Sequence, residues 1–378
     1  MVSIKKIVLA VLQTVDTDGQ YGVGVSGTAP GREGEMRIGI DLGRSEVRAC
    51  TANERLRLLP AVAELKVSGR LRAHVPGDCL VRKDGPLEVS SWHVTSGGTE
   101  HLVGREAMAD GLPGRAGFAW NKTTGDAGLL VLAAVSALCP VNAAEVCVTL
   151  PYPRFRWEVT RFQGYLQGEH KLKSAAGNRR SITLQCQFIQ DLVGLWTSFV
   201  VPDSRIGPDP IRLRGRCLVM DFGDHMVQVG TVANLRFEDT PRGILRGARG
   251  MWSRALRSFN CPRTEVPEWQ KNRSLLARRI LDDGQVTVGD TVIRREDVEP
   301  LVACEAERSW PEISASLDAI LGSTTHDWVV VGGGAAALFR EQLRERFGDR
   351  LTLLEDRFAA AEGGRRFLDQ RHHLGEFA

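Results

Sequence analysis

No apolar run in the 378 residues reaches the roughly 18 needed to cross a bilayer as a helix, so an integral membrane protein built from helices is excluded. Neither charge sign dominates. Forty-nine basic residues against 46 acidic ones leave a net charge of +3, which argues against a dedicated nucleic-acid binder and against a disordered acidic tail. The eight cysteines form no C-x-x-C pair, and most sit in apolar surroundings such as "LVACEA" around Cys304. That pattern excludes a disulfide framework and a zinc site and predicts reduced, buried thiols in a cytoplasmic protein. Internal repeats of about 20 to 50 residues are not visible. Tyrosine is scarce, at three residues against eight tryptophans. What is present is the mix of a soluble globular protein, 43% hydrophobic and 25% charged, at a length that fits two or three domains. Arginine outnumbers lysine about fivefold, an excess that reads as genomic composition and carries no phosphate argument.

Residues 1–35 stand apart. A short apolar stretch behind two lysines, "IKKIVLAVLQTV", runs into a glycine-rich polar segment. The apolar part is short for a secretory signal and no small-residue cleavage site follows closely. The expectation is a disordered extension, or a start assigned too early with Met36 as the working start. From Met36 onward, strands and helices alternate in two halves, which predicts an α/β protein. "MRIGID" and "EVRACTA" read as strands flanking a tight turn. "LEVSSWHVT" and "TEHLVG" read as a hairpin around "SGG". "AGLLVLAAVSALC" reads as a buried helix, and "ITLQCQFIQ" as a strand entering the helix "DLVGLWTSFV". The pattern restarts at "RCLVMDFGDHMVQVGTV", again strand, tight turn and strand. Helices are expected over "RGILRGARGMWSRALRSF", "NRSLLARRILDD" and "REDVEPLVACEAERSWPEISASLDAIL". "DWVVVGGG" is a buried strand ending in glycines.

Three features matter together: a turn with Asp41 and Gly43, a second with Asp221 and Gly223 about 180 residues later, and the run Gly332, Gly333, Gly334 between a strand and a helix. A glycine hairpin lets successive N–H groups converge on an anion, because no Cβ blocks the approach. An aspartate at the strand end supplies charge for a hydrated Mg2+, which keeps several waters. A glycine run opening a helix adds donors and the positive end of a dipole. Singly, each is an ordinary turn or loop. Their order is what carries information: two acidic hairpins, a helical insert, then the glycine run.

With these residues in hand, the sequence resembles the actin-like ATPase superfamily, the fold of actin, Hsp70 ATPase domains and sugar kinases. "IGIDLGRSEVRA" resembles its first phosphate loop, "LVMDFGDHMVQVGTV" the second and "WVVVGGGAAALF" the adenosine segment. The closer resemblance, over about residues 36–370, is to bacterial and archaeal actin-like proteins of the ParM/StbA/Alp type. It implies a two-lobed fold of duplicated mixed-sheet domains around a nucleotide cleft. Residues 36–205 with 340–378 would form domain I, with residues 55–103 a small subdomain, and 206–339 domain II. It implies ATP or GTP with Mg2+ as ligands. Asp41 and Asp221 would hold the metal's water shell. Gly43, Arg44 and Ser45 would cradle the β- and γ-phosphates, and Arg48 stands where the family has a lysine. Gly223, Asp224 and His225 would form the second phosphate turn, Gln190 would orient the attacking water, and Gly332, Gly333 and Gly334 would line the adenosine.

The second loop departs from the family pattern. Asp224, His225, Met226 and Gln228 replace the usual Gly, Thr, Thr and later Asp, and an arginine fork needs more room than an ammonium. Hydrolysis is therefore slow, or binding occurs without turnover. The implied function is a cytoplasmic protein that binds ATP–Mg and forms homopolymeric filaments, for plasmid or DNA segregation through a DNA-binding adaptor, with no membrane and no direct nucleic-acid contact. The alternatives are a non-hydrolysing scaffold and a small-molecule kinase of the same superfamily. Trp157, Trp196, Trp252 and Trp328 read as core or subunit contacts. The basic clusters read as solvated faces, and "RHHL" as a mobile tail.

Overall fold

The computed structural model describes residues 35–43, 45–65, 78–82, 85–96, 99–108, 114–116, 124–173, 179–202, 207–238, 240–244, 246–259 and 273–375. The first lobe starts with strands β1 (Met36–Leu42), β2 (Val47–Cys50), β3 (Arg55–Leu58), β4 (Ala61–Glu64), β5 (Cys79–Arg82), β6 (Leu87–Ser96), β7 (Thr99–Val103) and β8 (Gly114–Ala116). Helix α1 (Thr124–Leu138), β9 (Ala143–Leu150), α2 (Tyr152–Leu166), β10 (Gly168–Lys173), β11 (Arg179–Gln190) and α3 (Asp191–Val200) follow. The strands form one path in the order β10-β11-β9-β1-β2-β3-β6-β7-β4-β8, with β5 on β6. β1 and β9 pair in parallel, Ile40 beside Val148. Nearly every residue of β9 is buried, as a central parallel strand covered on both faces requires. α1 is apolar all round and its described residues are mostly buried, the mark of a core helix.

The second lobe follows a short helix, α4 (Pro210–Arg214). It contains β12 (Cys217–Phe222), β13 (Val227–Ala233), β14 (Arg236–Phe237), β15 (Arg242–Ile244), α5 (Ala248–Ala255), α6 (Arg273–Asp283), the hairpin β16 (Gln285–Val288) and β17 (Thr291–Arg294), and α7 (Arg295–Leu321). β18 (Trp328–Gly332), α8 (Arg340–Phe347), β19 (Leu351–Leu353) and α9 (Ala359–Gly375) complete the chain. The sheet order is β14-β13-β12-β18-β19, with β15 on β13. Its core gathers Phe222, Ile280, Ile293, Val298, Phe339 and Leu343. Burying a side chain of this size is worth about 1.5–3 kcal/mol.

A third cluster joins the lobes. α3, whose ten residues are all buried, and α9 pack between the sheets. Ile189, Leu195, Phe199, Val219, Val330 and Phe367 form one apolar layer. The two helices cross backbone to backbone. A Cβ on Gly363 would fall 1.8 Å from the Gly194 carbonyl oxygen, and one on Gly39 of β1 would fall 1.8 Å from that of Ala361. Only glycine permits this approach.

Three expectations change, and one helix is added. β19 pairs with β18, and Leu343 and Phe347 of α8 join the second lobe's core, so the chain returns to the first lobe near residue 355 rather than at 340. "RGILRG" carries strand β15 before α5, because Ile244 completes the β13 ladder beside Val227. "YPRFRWEVTRF" is helix α2, with a proline in its first turn. α9 runs through "RHHL" to Gly375, with the side chains of His372 and His373 outside the described residues. Residues 1–34 lie outside them too. Cys50, Cys139, Cys147, Cys186 and Cys217 are buried free thiols, whereas Cys79 is exposed.

Candidate functional site

Both acidic turns open into one cleft between the lobes, with about 1580 Å³ of space including its solvent-filled mouth. Asp41, Gly43, Ser45 and Arg48 reach it from the first lobe, and Asp221, Gly223, Asp224, His225, Gly333 and Gly334 from the second. Arg44 lies outside the described residues. Gly332 is the buried last residue of β18, and a Cβ there would meet Leu195, so it supports the wall without lining it. Gln190, the final residue of β11, also stays off the cleft wall. It is buried, and its Oε1 has no hydrogen-bond partner. The next residue, Asp191, faces the cleft instead.

The strand ladders place these groups. Asp41 stands opposite Arg48 across the β1–β2 hairpin. Asp221 lies between Gln228 on β13 and Gly332 on β18. Gly333 has φ +95°, and a Cβ there would sit 2.2 Å from Asp221 Oδ1. Glycine is therefore imposed both by backbone and by the carboxylate it touches. The second turn is braced from behind. The N–H groups of Gly247, Ala248 and Arg249, where α5 begins, donate to the carbonyls of His225, Gly223 and Asp224, which satisfies donors a helix start leaves unpaired.

Three carboxylates, Asp41, Asp191 and Asp221, line this cleft from different elements. Burial pushes the Asp221 carboxyl up to about 7, and the neighbouring Asp41 charge adds to it, against the Gln228 hydrogen bond and Arg48. Burial raises Asp191 well above the usual range, reinforced by the charges of Asp41 and Asp221. Burial raises Asp41 as well, although Arg48 opposes it. Gln228, buried, donates through Nε2 to Asp191 Oδ2 and Asp221 Oδ2, both at 3.1 Å. One amide thus ties the α3 start to the second lobe. Arg48 donates to Asp41 Oδ2 at 3.1 Å and to Glu46 Oε2 at 2.7 Å. Its guanidinium reaches across the cleft, to within 3.6 Å of where a Gly334 Cβ would be.

Like charges crowded in low dielectric raise one another's proton affinity, and a cation among them would relieve the repulsion. Among the described residues no three His, Cys, Asp or Glu side chains converge closely enough to ligate an ion directly. The carboxylates of Asp41, Asp191 and Asp221 on the cleft wall are donors of the kind that a hydrated divalent ion such as Mg2+ meets through its waters. Beyond the charged floor, Met226, Ala248, Trp252, Ala277 and Leu281 give the second lobe's wall an apolar stretch suited to a flat base. Trp252 is buried and shares in both core and wall. Trp196 is buried in the interlobe layer and Trp328 packs on Phe199 at 5.8 Å. Trp157's side chain lies outside the described residues.

Asp191 and Gln228 carry geometry the sequence reading did not assign to them. An aspartate at the first position of a helix is commonplace, so it gave no signal. The signal available at Gln228 was a polar residue flanked by two valines in the strand, at a position noted only as a departure from the family pattern.

Comparison with known proteins agrees with this architecture. Residues 39–190 match the family described as actin like proteins N terminal domain. Among solved structures, the apo psk41 ParM protein is similar at 13% identity with a TM-score of 0.64, covering 91% of this chain and 99% of that one. A 15-stranded ParM filament from Clostridium botulinum is similar at 15% identity and 0.61, covering 91% and 99%. The archaeal actin homolog Ta0583, in complex with ADP, is similar at 16% identity and 0.62, covering 87% and 98%. No curated protein sequence matches. Among the described residues no helix is long and apolar enough to cross a membrane.

Proposed function

We propose that this chain, whose fold is the two-lobed actin-like one of the ParM and Alp type, binds a Mg2+–nucleoside triphosphate between its lobes and assembles with its own copies into filaments. The observation that carries the reading is the convergence of Asp41 and Asp221, from hairpins of opposite lobes, on a single cleft with Gly333, Gly334 and Arg48. The ADP complex of an archaeal actin homolog and the filament of a ParM protein, both of this fold, support nucleotide and self-assembly respectively.

The residues present fit the ligand. Asp41 and Asp221 would hold the ion's water shell, and the ion would offset phosphate charge. The backbone at Gly43, Ser45, Gly223, Asp224 and His225 would face the phosphates, with Arg48 between the lobes. Gly333 and Gly334 leave room for the sugar and α-phosphate. Asp191 is the group placed to take a proton from an attacking water. Burial and the neighbouring charges of Asp41 and Asp221 raise its proton affinity, which strengthens it as a base. Gln228 keeps that carboxylate oriented. Catalysis is then mostly positioning and charge stabilisation. Hydrolysis is expected to be slow, because the hydroxyls usual in the second turn are absent. Triphosphate favours a closed, polymerising shape and its loss relaxes it. DNA segregation through a DNA-binding adaptor is the cellular task that fits.

Calorimetry with Mg–ATP and Mg–GTP tests the ligand, and light scattering read beside phosphate release tests the rest. Scattering that needs triphosphate, with slow release, supports the reading. Release only on addition of a small acceptor would make the protein a kinase instead. Absence of binding at millimolar nucleotide would end it.

A further inference from the structure

A chain of charges leaves the cleft and ends on the opposite lobe. Arg48, at the phosphate turn, donates to Glu46 Oε2. The other oxygen of Glu46 lies 3.8 Å from Arg57 Nε on β3, and that buried Nε has no hydrogen-bond partner. Arg57 continues to Glu88 at 3.2 Å and crosses to Asp282 at 3.5 Å. Beside it Arg105 joins Glu88 at 2.8 Å and Asp283 at 3.0 Å. Asp282 and Asp283 close α6 in the second lobe. Glu46, Arg57, Glu88 and Arg105 belong to the first. Arg57, Asp282, Arg105 and Asp283 are 13–22% exposed, so these pairs are screened less than open surface pairs.

We infer that this network is a latch across the cleft, with Glu46 the carboxylate that passes between Arg48 and Arg57 according to what occupies the phosphate turn. The inference rests on the nucleotide reading above. A γ-phosphate draws Arg48 from Glu46. Glu46 then closes on Arg57 Nε, from 3.8 Å to hydrogen-bond distance, and Arg57 is held against Asp282. Triphosphate therefore tightens a crossing that already stands with Glu46 on Arg48, and its loss lets Glu46 return to Arg48. The latch follows phosphate because Arg48 interacts with it differently in the two states.

The test has two arms. In the first, small-angle scattering of the nucleotide-free protein reads lobe separation at low salt and at about 0.5 M salt. The double variant D282N/D283N is expected to give a larger radius of gyration than the parent and to lose its salt response. An unchanged radius overturns the latch. In the second, release of a fluorescent triphosphate and diphosphate is timed. D282N/D283N should speed triphosphate release about tenfold or more and diphosphate release far less. E46Q should erase the difference between the two ligands. Equal acceleration of both ligands overturns the coupling through Glu46. A parent protein that binds neither nucleotide overturns the proposed function and the coupling together, and the scattering arm then decides the fastening alone.

Discussion

Single residues decide whether this cleft works, and some oppose stability. Asp221, pushed up to about 7, costs free energy when charged and empty. A raised carboxyl stabilises the folded state as pH falls from about 7 toward its ordinary value of 3.8, because only the folded form then holds the proton. D221N should stabilise nucleotide-free protein at pH 8 by about 1–3 kcal/mol, seen as a higher melting temperature, and abolish Mg–nucleotide binding. Calorimetry and thermal unfolding check the two effects separately. G333A should cost about 2 kcal/mol or more, since the new methyl meets Asp221 while the backbone is held at φ +95°. D191N should leave nucleotide affinity within about threefold while reducing phosphate release at least about 100-fold. At this scale the sequence showed the two acidic turns and the glycine run. It did not show which of Gln190 and Asp191 faces the cleft, because that depends on the residue at which β11 stops and α3 begins.

Elements were legible where periodicity was strong and illegible where pairing partners were remote. β1, β12 and α7 follow from apolar pattern and turn chemistry. β15 escaped notice because its three residues become a strand only against β13. α2 escaped because its run of arginines and aromatics lacks a clean apolar stripe. The α3–α9 crossing rests on Gly194 and Gly363, and G363A should destabilise the protein by about 1–3 kcal/mol, measured by denaturant unfolding. α9 also carries an acid-sensitive cluster. Burial alone would raise Glu362, but Arg365 and Arg366 more than offset it and bring its carboxyl down to about 2. Its stabilisation is complete above the ordinary value of 4.5 and is lost as pH falls from there toward about 2. E362Q should therefore narrow the stability gap between pH 7 and pH 3, read from unfolding at both.

The described residues build two large sheets that face a shared cleft, and the duplicated acidic hairpins made that legible. The charged crossing from Arg57 and Arg105 to α6 was not, because residues about 180 or more apart in sequence meet only once both lobes exist. Saturating nucleotide should stabilise the chain by about 2.7 kcal/mol at a hundredfold excess over the dissociation constant, a rise of several degrees in melting temperature that D282N/D283N reduces.

The close seat of Ala361 against Gly39 sets a tempo for self-assembly of the chain. These positions stand more than 300 residues apart, with all of the second lobe strung between them. Such distant partners are slow to find each other, so the first sheet waits, one face bare, until the far segment arrives. Refolding should show a late phase that ends with that docking, and crowding or heat during the wait should divert material into aggregates.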